Sequence, residues 1–214
     1  MITLSGILIL AGGQSSRMGS PKALLPIPSN NANSDTLLNF HIQHAKQISN
    51  TISNINHSIT ILIGNNDKKF SLPNDVIAIS DYIKNAGALS CLLNAFVYCQ
   101  NHRLTGDYIL VASCDNLIGI DKLYNKLIKA KPNSQVIYLT HNDKDYPLLG
   151  LYRLDLITDL KTYLDNGERS VMKFLKDKSV QKIAMDTGWQ NLANFNTLAE
   201  FQHALQYFNP LTQF

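Results

Sequence analysis

Little in this chain marks it for a membrane, a nucleic acid or an oxidising compartment. Its apolar runs stay well short of a bilayer span. The opening "MITLSGILIL" lacks the basic leader of a secretory signal, so its apolar part is expected to be a buried strand. Charged residues make up only 16% of the chain and the net charge is +3, too weak a surplus for a nucleic-acid surface. Cysteine is scarce: Cys91, Cys99 and Cys114 are odd in number and lack metal-ligand spacing. They are expected to be small buried hydrophobes in a reducing cytoplasm. The six histidines form no metal pattern, and His41 with His44 is expected to be a half-exposed helical pair rather than a zinc site.

Two phosphate-binding patterns are also missing. The glycines do not fall into G-x-G-x-x-G, which removes the dinucleotide fingerprint and with it the case for a dehydrogenase. Five residues separate Gly13 from Gly19 and Lys22 does not directly follow Gly19, so P-loop spacing fails as well.

What is present is an alternation of short apolar runs with longer helical patterns. Gly6–Leu10, Ser58–Gly64, Asp75–Ile79, Asp107–Ser113 and Ser134–Thr140 read as strands covered on both faces, and "DYPLLGLYR" as a further one. "TLLNFHIQHAKQIS", "ALSCLLNAFVYCQ" and "DKLYNKLIKA" carry helical spacing. The alternation predicts an α/β fold with helices on both faces of a mostly parallel sheet. Later, Asp155–Asp165 reads as a helix with Asp155 near its cap, and "SVMKFLKD" as a short helix capped by Ser170. Thr197 and Glu200 have capping-box spacing before a closing helix. Pro26–Thr36 is polar and turn-rich, and is expected to be a mobile surface loop. With 214 residues and 45% hydrophobic content, one domain with its own core is expected.

The stretch "LILAGGQSSRMGSPKALL" stands where an open α/β sheet gathers its ligands, just past the carboxyl end of the first strand. Gly12 and Gly13 let the backbone approach a ligand and form a nest of N–H groups for phosphate oxygens. Arg17 adds a planar charged fork and Lys22 a flexible point charge. A tight turn with two exposed cations is the plain structural alternative.

Those residues carry a resemblance. L-A-G-G-x-S-x-R-M-G-x-x-K, here from Leu10 to Lys22 without a gap, resembles the signature of the nucleotidyltransferases, and within them the molybdenum cofactor guanylyltransferases. The resemblance runs from Gly6 to about Ala204, more weakly around 27–57 and 65–75. It implies a three-layer α/β/α, Rossmann-like nucleotidyltransferase fold, with nucleotide bound by about 1–118 and acceptor by about 119–214. It further implies Mg²⁺-dependent transfer of GMP from GTP to the phosphate of molybdopterin or molybdenum cofactor in the cytoplasm. Cofactor-delivery proteins or apo-molybdoenzymes are the macromolecular partners it implies, and a monomer is expected. The double glycine leans towards guanylyl over cytidylyl transfer. Rival readings are a cytidylyl or sugar-phosphate nucleotidyltransferase of the same fold, and a nucleotide-binding regulator without catalysis.

The same resemblance implies residue roles. Leu10, Ala11, Gly12 and Gly13 would hold the nucleotide, with Arg17 and Lys22 neutralising its triphosphate. Asp115, at the end of "DYILVASC", resembles the metal-binding aspartate of a C-D-x-P segment, with Asn116 and Leu117 replacing the usual small residue and proline. A helix-cap role for Asp115 is the alternative. Asp81 resembles an aspartate that helps enclose base and ribose, or is a polar loop residue. Asn65 stands where a nucleotide contact is expected, although Gly64 aligns equally well. Tyr146-Pro147 stands for a His-Pro pair and Arg169 opens a helix where it would take the acceptor's phosphate, or lie exposed. Asn194 and Asn196 match N-x-N-T; alternation would put both amides on one side of an extended chain, or they cap the last helix.

Overall fold

The computed structural model describes residues 1–12, 21–28, 35–52, 59–64 and 70–209. The elements begin with β1 (Leu4–Leu10), β2 (Pro26–Ile27), β3 (Asp35–Thr36), α1 (Leu37–Ile52), β4 (Thr60–Gly64), β5 (Ile77–Ile79) and α2 (Ala88–Asn101). They continue with β6 (Tyr108–Ser113), α3 (Ile120–Leu127), β7 (Val136–His141), β8 (Lys144–Arg153), α4 (Ile157–Asp165), α5 (Val171–Leu175), β9 (Val180–Ala184) and α6 (Leu198–Tyr207).

Seven strands form one sheet in the order β5-β4-β1-β6-β8-β7-β9. β1 pairs in parallel with β4 and β6, which buries its apolar run from both sides: Ile7, Leu8 and Ile9 have no exposed surface. β8 alone in the sheet runs antiparallel, to both β6 and β7. One core packs α1, α3 and α6 against the sheet, and a second packs α2, α4 and α5 against the other face. The result is the three-layer α/β/α arrangement. β6 and β8 join the first strands to the later ones, so the 1–118 and 119–214 portions share a single continuous sheet.

Local chemistry explains most boundaries. Ser170 accepts the Lys173 N–H at the start of α5, and Thr197 with Glu200 forms a reciprocal capping box on α6. Asp155 does not cap α4: a 3₁₀ turn over Leu154–Leu156 precedes the helix, and Arg153 Nε donates to the Asp155 carboxylate at 2.8 Å. The expected loop over Pro26–Thr36 has ordered ends. Pro26 pairs with Thr36 and Ile27 with Asp35 in a short antiparallel ribbon, while 29–34 lie outside the described residues. β9 has no strand signature in the sequence because VQKIA holds no continuous apolar run and none of its residues is buried, as suits a sheet edge carrying Lys182.

β8 does not follow β7 evenly. Gly150 is level with Tyr138, but Tyr146 is level with Leu139, so Pro147, Leu148 and Leu149 have no partners on β7, although Leu149 stays level with Ala112 of β6. Proline at a bulge leaves no missing donor in the ladder. Tyr152, fully buried, donates its hydroxyl to Pro147 O at 2.7 Å and pins the bulge. The return strand must pass so close to β7 that a Cβ on Gly150 would lie 2.5 Å from Ile137 O. Gly150→Ala should therefore destabilise the fold by about 2 kcal/mol in urea unfolding; an unchanged midpoint would contradict this packing.

Candidate active site

β1, β4 and β6 all point their carboxyl ends to one edge, bringing Leu10, Gly64 and Ser113 to the same rim. Immediately past β1 the chain turns, with Ala11 N donating to Ile9 O at 3.1 Å. Leu10 and Ala11 are buried and Gly12 is exposed. Gly13, Arg17 and Asn65 lie outside the described residues. Gly64, the alternative to Asn65, sits against the turn: a Cβ there would come within 2.9 Å of Cys91 Sγ and 3.8 Å of Ala11 N.

Three of the expected residues meet at this rim. Lys22 opens a 3₁₀ turn, and its Nζ donates to Phe195 O at 2.8 Å and to Asn196 Oδ1 at 2.9 Å. The same ammonium stands 3.8 Å from Asp115 Oδ2. Ser113 donates its hydroxyl to the other oxygen of Asp115. Lysine offers donors only, so the Asn196 oxygen must face it and the amide N–H groups of Asn196 are directed away from the lysine. The backbone closes the arrangement: Phe195 N donates to Asp115 O at 3.0 Å and Leu117 N to Leu192 O at 2.8 Å.

Asn194 adopts a left-handed conformation, φ 60°, so the two asparagines do not share one side of an extended chain. Asn196 turns to Lys22, whereas Asn194 lines a cavity on the other side of Asp115. Neither caps α6, because Thr197 does so. Nor is Asp115 a helix cap: α3 begins after Gly119, which makes no side-chain cap bond.

Beneath Asp115 lies a buried polar foundation. Asn116 donates from its amide to Ser113 O and accepts from Ile118 N at 2.8 Å, fixing the turn with Leu117 in place of the proline expected there. His41 Nε2 lies 3.0 Å from Asn116 O. A carbonyl accepts only, so Nε2 carries the proton, and Nδ1 has no hydrogen-bond partner among the described residues. Burial pushes the His41 pKa down to about 3, against a smaller raising effect of the Asn116 carbonyl. His44 Nδ1 pairs with Asp121 Oδ1 at 2.6 Å. Both histidines are fully buried, which corrects the half-exposed expectation. α3 packs on α1, and Phe40 meets Phe208 with ring centroids 5.5 Å apart, so the face of α1 that carries the two histidines is enclosed while Asn39 and Gln43 keep the opposite face in solvent.

The remaining expected residues stand apart. Asp81 follows β5 in a partly exposed loop whose neighbours are tied to α2: Asn94 donates to Ser80 O at 2.8 Å and Ile83 N to Ser90 Oγ at 2.7 Å. Arg169 donates to Leu164 O at 2.7 Å and to Glu168 O at 2.6 Å, so its guanidinium closes the carbonyl end of α4. The cysteines are free and buried; burial pushes the thiols of Cys91 and Cys99 up to about 12 and about 11, and that of Cys114 up as well.

Next to Asp115 a cavity of about 150 Å³ opens against the β8 bulge. Ser113, Asp115 and Asn194 line it together with Asp145, Leu148 and Val171. The last three were not singled out from the sequence. Pro147 inside an otherwise strand-like run was the one signal that β8 is interrupted there.

These features accompany a clear set of relatives. The MobA-like NTP transferase domain matches residues 7–181. A molybdenum cofactor guanylyltransferase of Haemophilus influenzae is 28% identical over 203 residues, covering 94% of this chain and 97% of the relative. One from Yersinia pestis is 27% identical over 196 residues, with 90% and 91% covered. The crystal structure of molybdopterin-guanine dinucleotide biosynthesis protein A from Archaeoglobus fulgidus superposes with a TM-score of 0.72 at 17% identity, covering 94% and 97%, which shows the shared fold.

The buried foundation has a measurable consequence in acid. His41 stays neutral in the fold down to about pH 3 but titrates near 6.5 when unfolded. Protons therefore bind the unfolded chain first, and the stability intact above pH 6.5 is lost as pH falls. Between about pH 5.5 and 4 the unfolding free energy should drop by roughly 1.4 kcal/mol per pH unit from this ring alone. His41→Gln should flatten that slope in denaturant titrations; equal slopes would contradict a buried neutral imidazole.

Proposed function

Because the chain belongs to the MobA-like NTP transferase family and is a nucleotidyltransferase, we propose that it transfers GMP from GTP to the phosphate of molybdopterin. The products are the guanine dinucleotide cofactor and pyrophosphate. One observation carries the reading most: Lys22 and Asp115 are held 3.8 Å apart at the ligand edge of the sheet, in a chain collinear with relatives of that name.

In this reading an oxygen of the acceptor phosphate attacks the α-phosphorus of GTP. The new P–O bond forms as the bond to the bridging α–β oxygen breaks, and pyrophosphate departs with that oxygen. Catalysis of this kind rests on positioning and charge stabilisation. Leu10 to Gly13 bind the nucleotide, Lys22 and Arg17 offset the triphosphate charge, and Asn65 and Asp81 contact ribose or base. Lys22 is pre-positioned by Phe195 O and Asn196, so little side-chain freedom is lost when phosphate arrives. Asn194 and Asn196 supply uncharged contacts for the acceptor, on the 119–214 portion. Arg169 joins them only by leaving the Leu164 and Glu168 carbonyls.

The donor set suits Mg²⁺ shared with substrate. Among the described residues no group of three or more His, Cys, Asp or Glu side chains could hold a metal. Asp115 is a single carboxylate with one oxygen steadied by Ser113 and the other facing Lys22. Mg²⁺ commonly takes one or two carboxylates, with phosphates and water completing its shell. When bound, it would withdraw charge from the phosphate oxygens. A thiol nucleophile has no part in this scheme, since the raised pKa values of Cys91, Cys99 and Cys114 keep them protonated.

Incubation with Mg²⁺, molybdopterin and either GTP or CTP should yield the guanine dinucleotide with GTP alone; a cytosine product or none would overturn the reading. Asp115→Asn should lower Mg²⁺-dependent pyrophosphate release by at least about a hundredfold. Near-native release by that variant would remove Asp115 from the chemistry.

A further inference from the structure

We propose that Asp145 recognises the acceptor by accepting hydrogen bonds from the N–H edge of its pterin ring, within the cavity beside Asp115. The inference rests on the reading above, that the acceptor is molybdopterin, and it names the residue that selects it. Gly150 is level with Val111 of β6 and Tyr138 of β7, while Asp145 is level with Thr140. Asp145 thus stands two residues further towards the ligand edge, roughly 7 Å along the sheet.

The carboxylate is set for such a role. It lines the cavity, its side chain is only 16% exposed, and Lys182 Nζ donates to Oδ2 at 2.8 Å from the sheet edge. Tyr138, itself buried, lies close enough to feel it: burial first, and then the Asp145 charge, push the Tyr138 phenol above its ordinary range. A carboxylate has about four acceptor positions, so the Lys182 bond leaves room for a further pair of donors. A pterin presents adjacent ring N–H and amino N–H groups, which match a carboxylate in the two-bond manner of guanidinium pairs. Leu148 from the bulge and Val171 from α5 supply apolar surface for the ring faces. Ser113, Asp115 and Asn194 line the same cavity, which puts the acceptor's ring next to the carboxylate assigned to the metal and the asparagine assigned to the acceptor.

Guanine carries the same donor edge, so the test separates the two sources. Asp145→Asn keeps the shape and replaces one acceptor oxygen by a donor. Its KM for molybdopterin should rise about 10- to 100-fold, with the KM for GTP and the melting temperature unchanged. Lys182→Met retains the carboxylate and should shift the acceptor KM by less than about threefold. In parallel, 6-hydroxymethylpterin binding, followed by its fluorescence, should weaken at least tenfold in Asp145→Asn. An unchanged acceptor KM, a raised KM for GTP instead, or equal losses in the Asp145 and Lys182 variants would each overturn the proposal. If the native enzyme releases no pyrophosphate with molybdopterin, the functional reading fails while the pterin titration still decides the role of Asp145: binding lost in the variant supports it, and binding retained refutes it.

Discussion

The backbone of Phe195 ties the two charged halves of the site together, its N–H donating to Asp115 O and its carbonyl accepting from Lys22 Nζ. Without that double contact, the lysine would be a flexible side chain on a short turn and the aspartate a residue on an open loop. Phe195 can serve because its ring is buried, packed on Phe201 with centroids 5.0 Å apart. The capping box of α6 fixes the next residues, with the Glu200 carboxylate accepting from Asn196 N and Thr197 N. Those two backbone N–H groups hold the Glu200 carboxyl below its ordinary range. A helix start at the far end of the chain thereby positions a lysine near its beginning.

Support from below has a different chemistry. The turn that carries Asp115 is fixed by an asparagine amide and a neutral imidazole, both buried. An apolar residue at position 41 would leave the Asn116 carbonyl without that donor, and a charged one would face desolvation. The fold keeps the ring neutral and tolerates an Nδ1 that has no hydrogen-bond partner among the described residues. That cost fixes the Asp115 backbone directly above, while Ser113 and Lys22 set the carboxylate itself.

Much of this was legible in the sequence. Continuous apolar runs announce strands covered on both faces, and β1, β4 and β6 are such strands. Ser170, Thr197 and Glu200 declare their helix starts through contacts three residues away, a range that sequence spacing captures. Lys22, Asp115 and Asn196 were all named in advance and are neighbours in space. What escaped is decided by partners distant in sequence. The left-handed turn at Asn194 follows from the bridge between Asn116 and Ala193. The β8 bulge depends on Tyr152 and on the close approach of β7. The burial of His41 and His44 requires α3 and Phe208 to close against α1, and Arg169 is held by the carbonyls of Leu164, in the helix before it, and of Glu168. None of these is encoded by local spacing.

The central claim is that substrate polyphosphate and its divalent ion settle between Lys22 and Asp115. Crystals grown with a non-hydrolysable GTP analogue and Mn²⁺, used in place of Mg²⁺ for its anomalous scattering, test it directly. The account predicts an anomalous peak coordinated by the Asp115 carboxylate, with phosphate oxygens against Lys22 Nζ and the turn after Leu10. An ion and triphosphate ordered elsewhere on the molecule, with both side chains left in their present contacts, would contradict it.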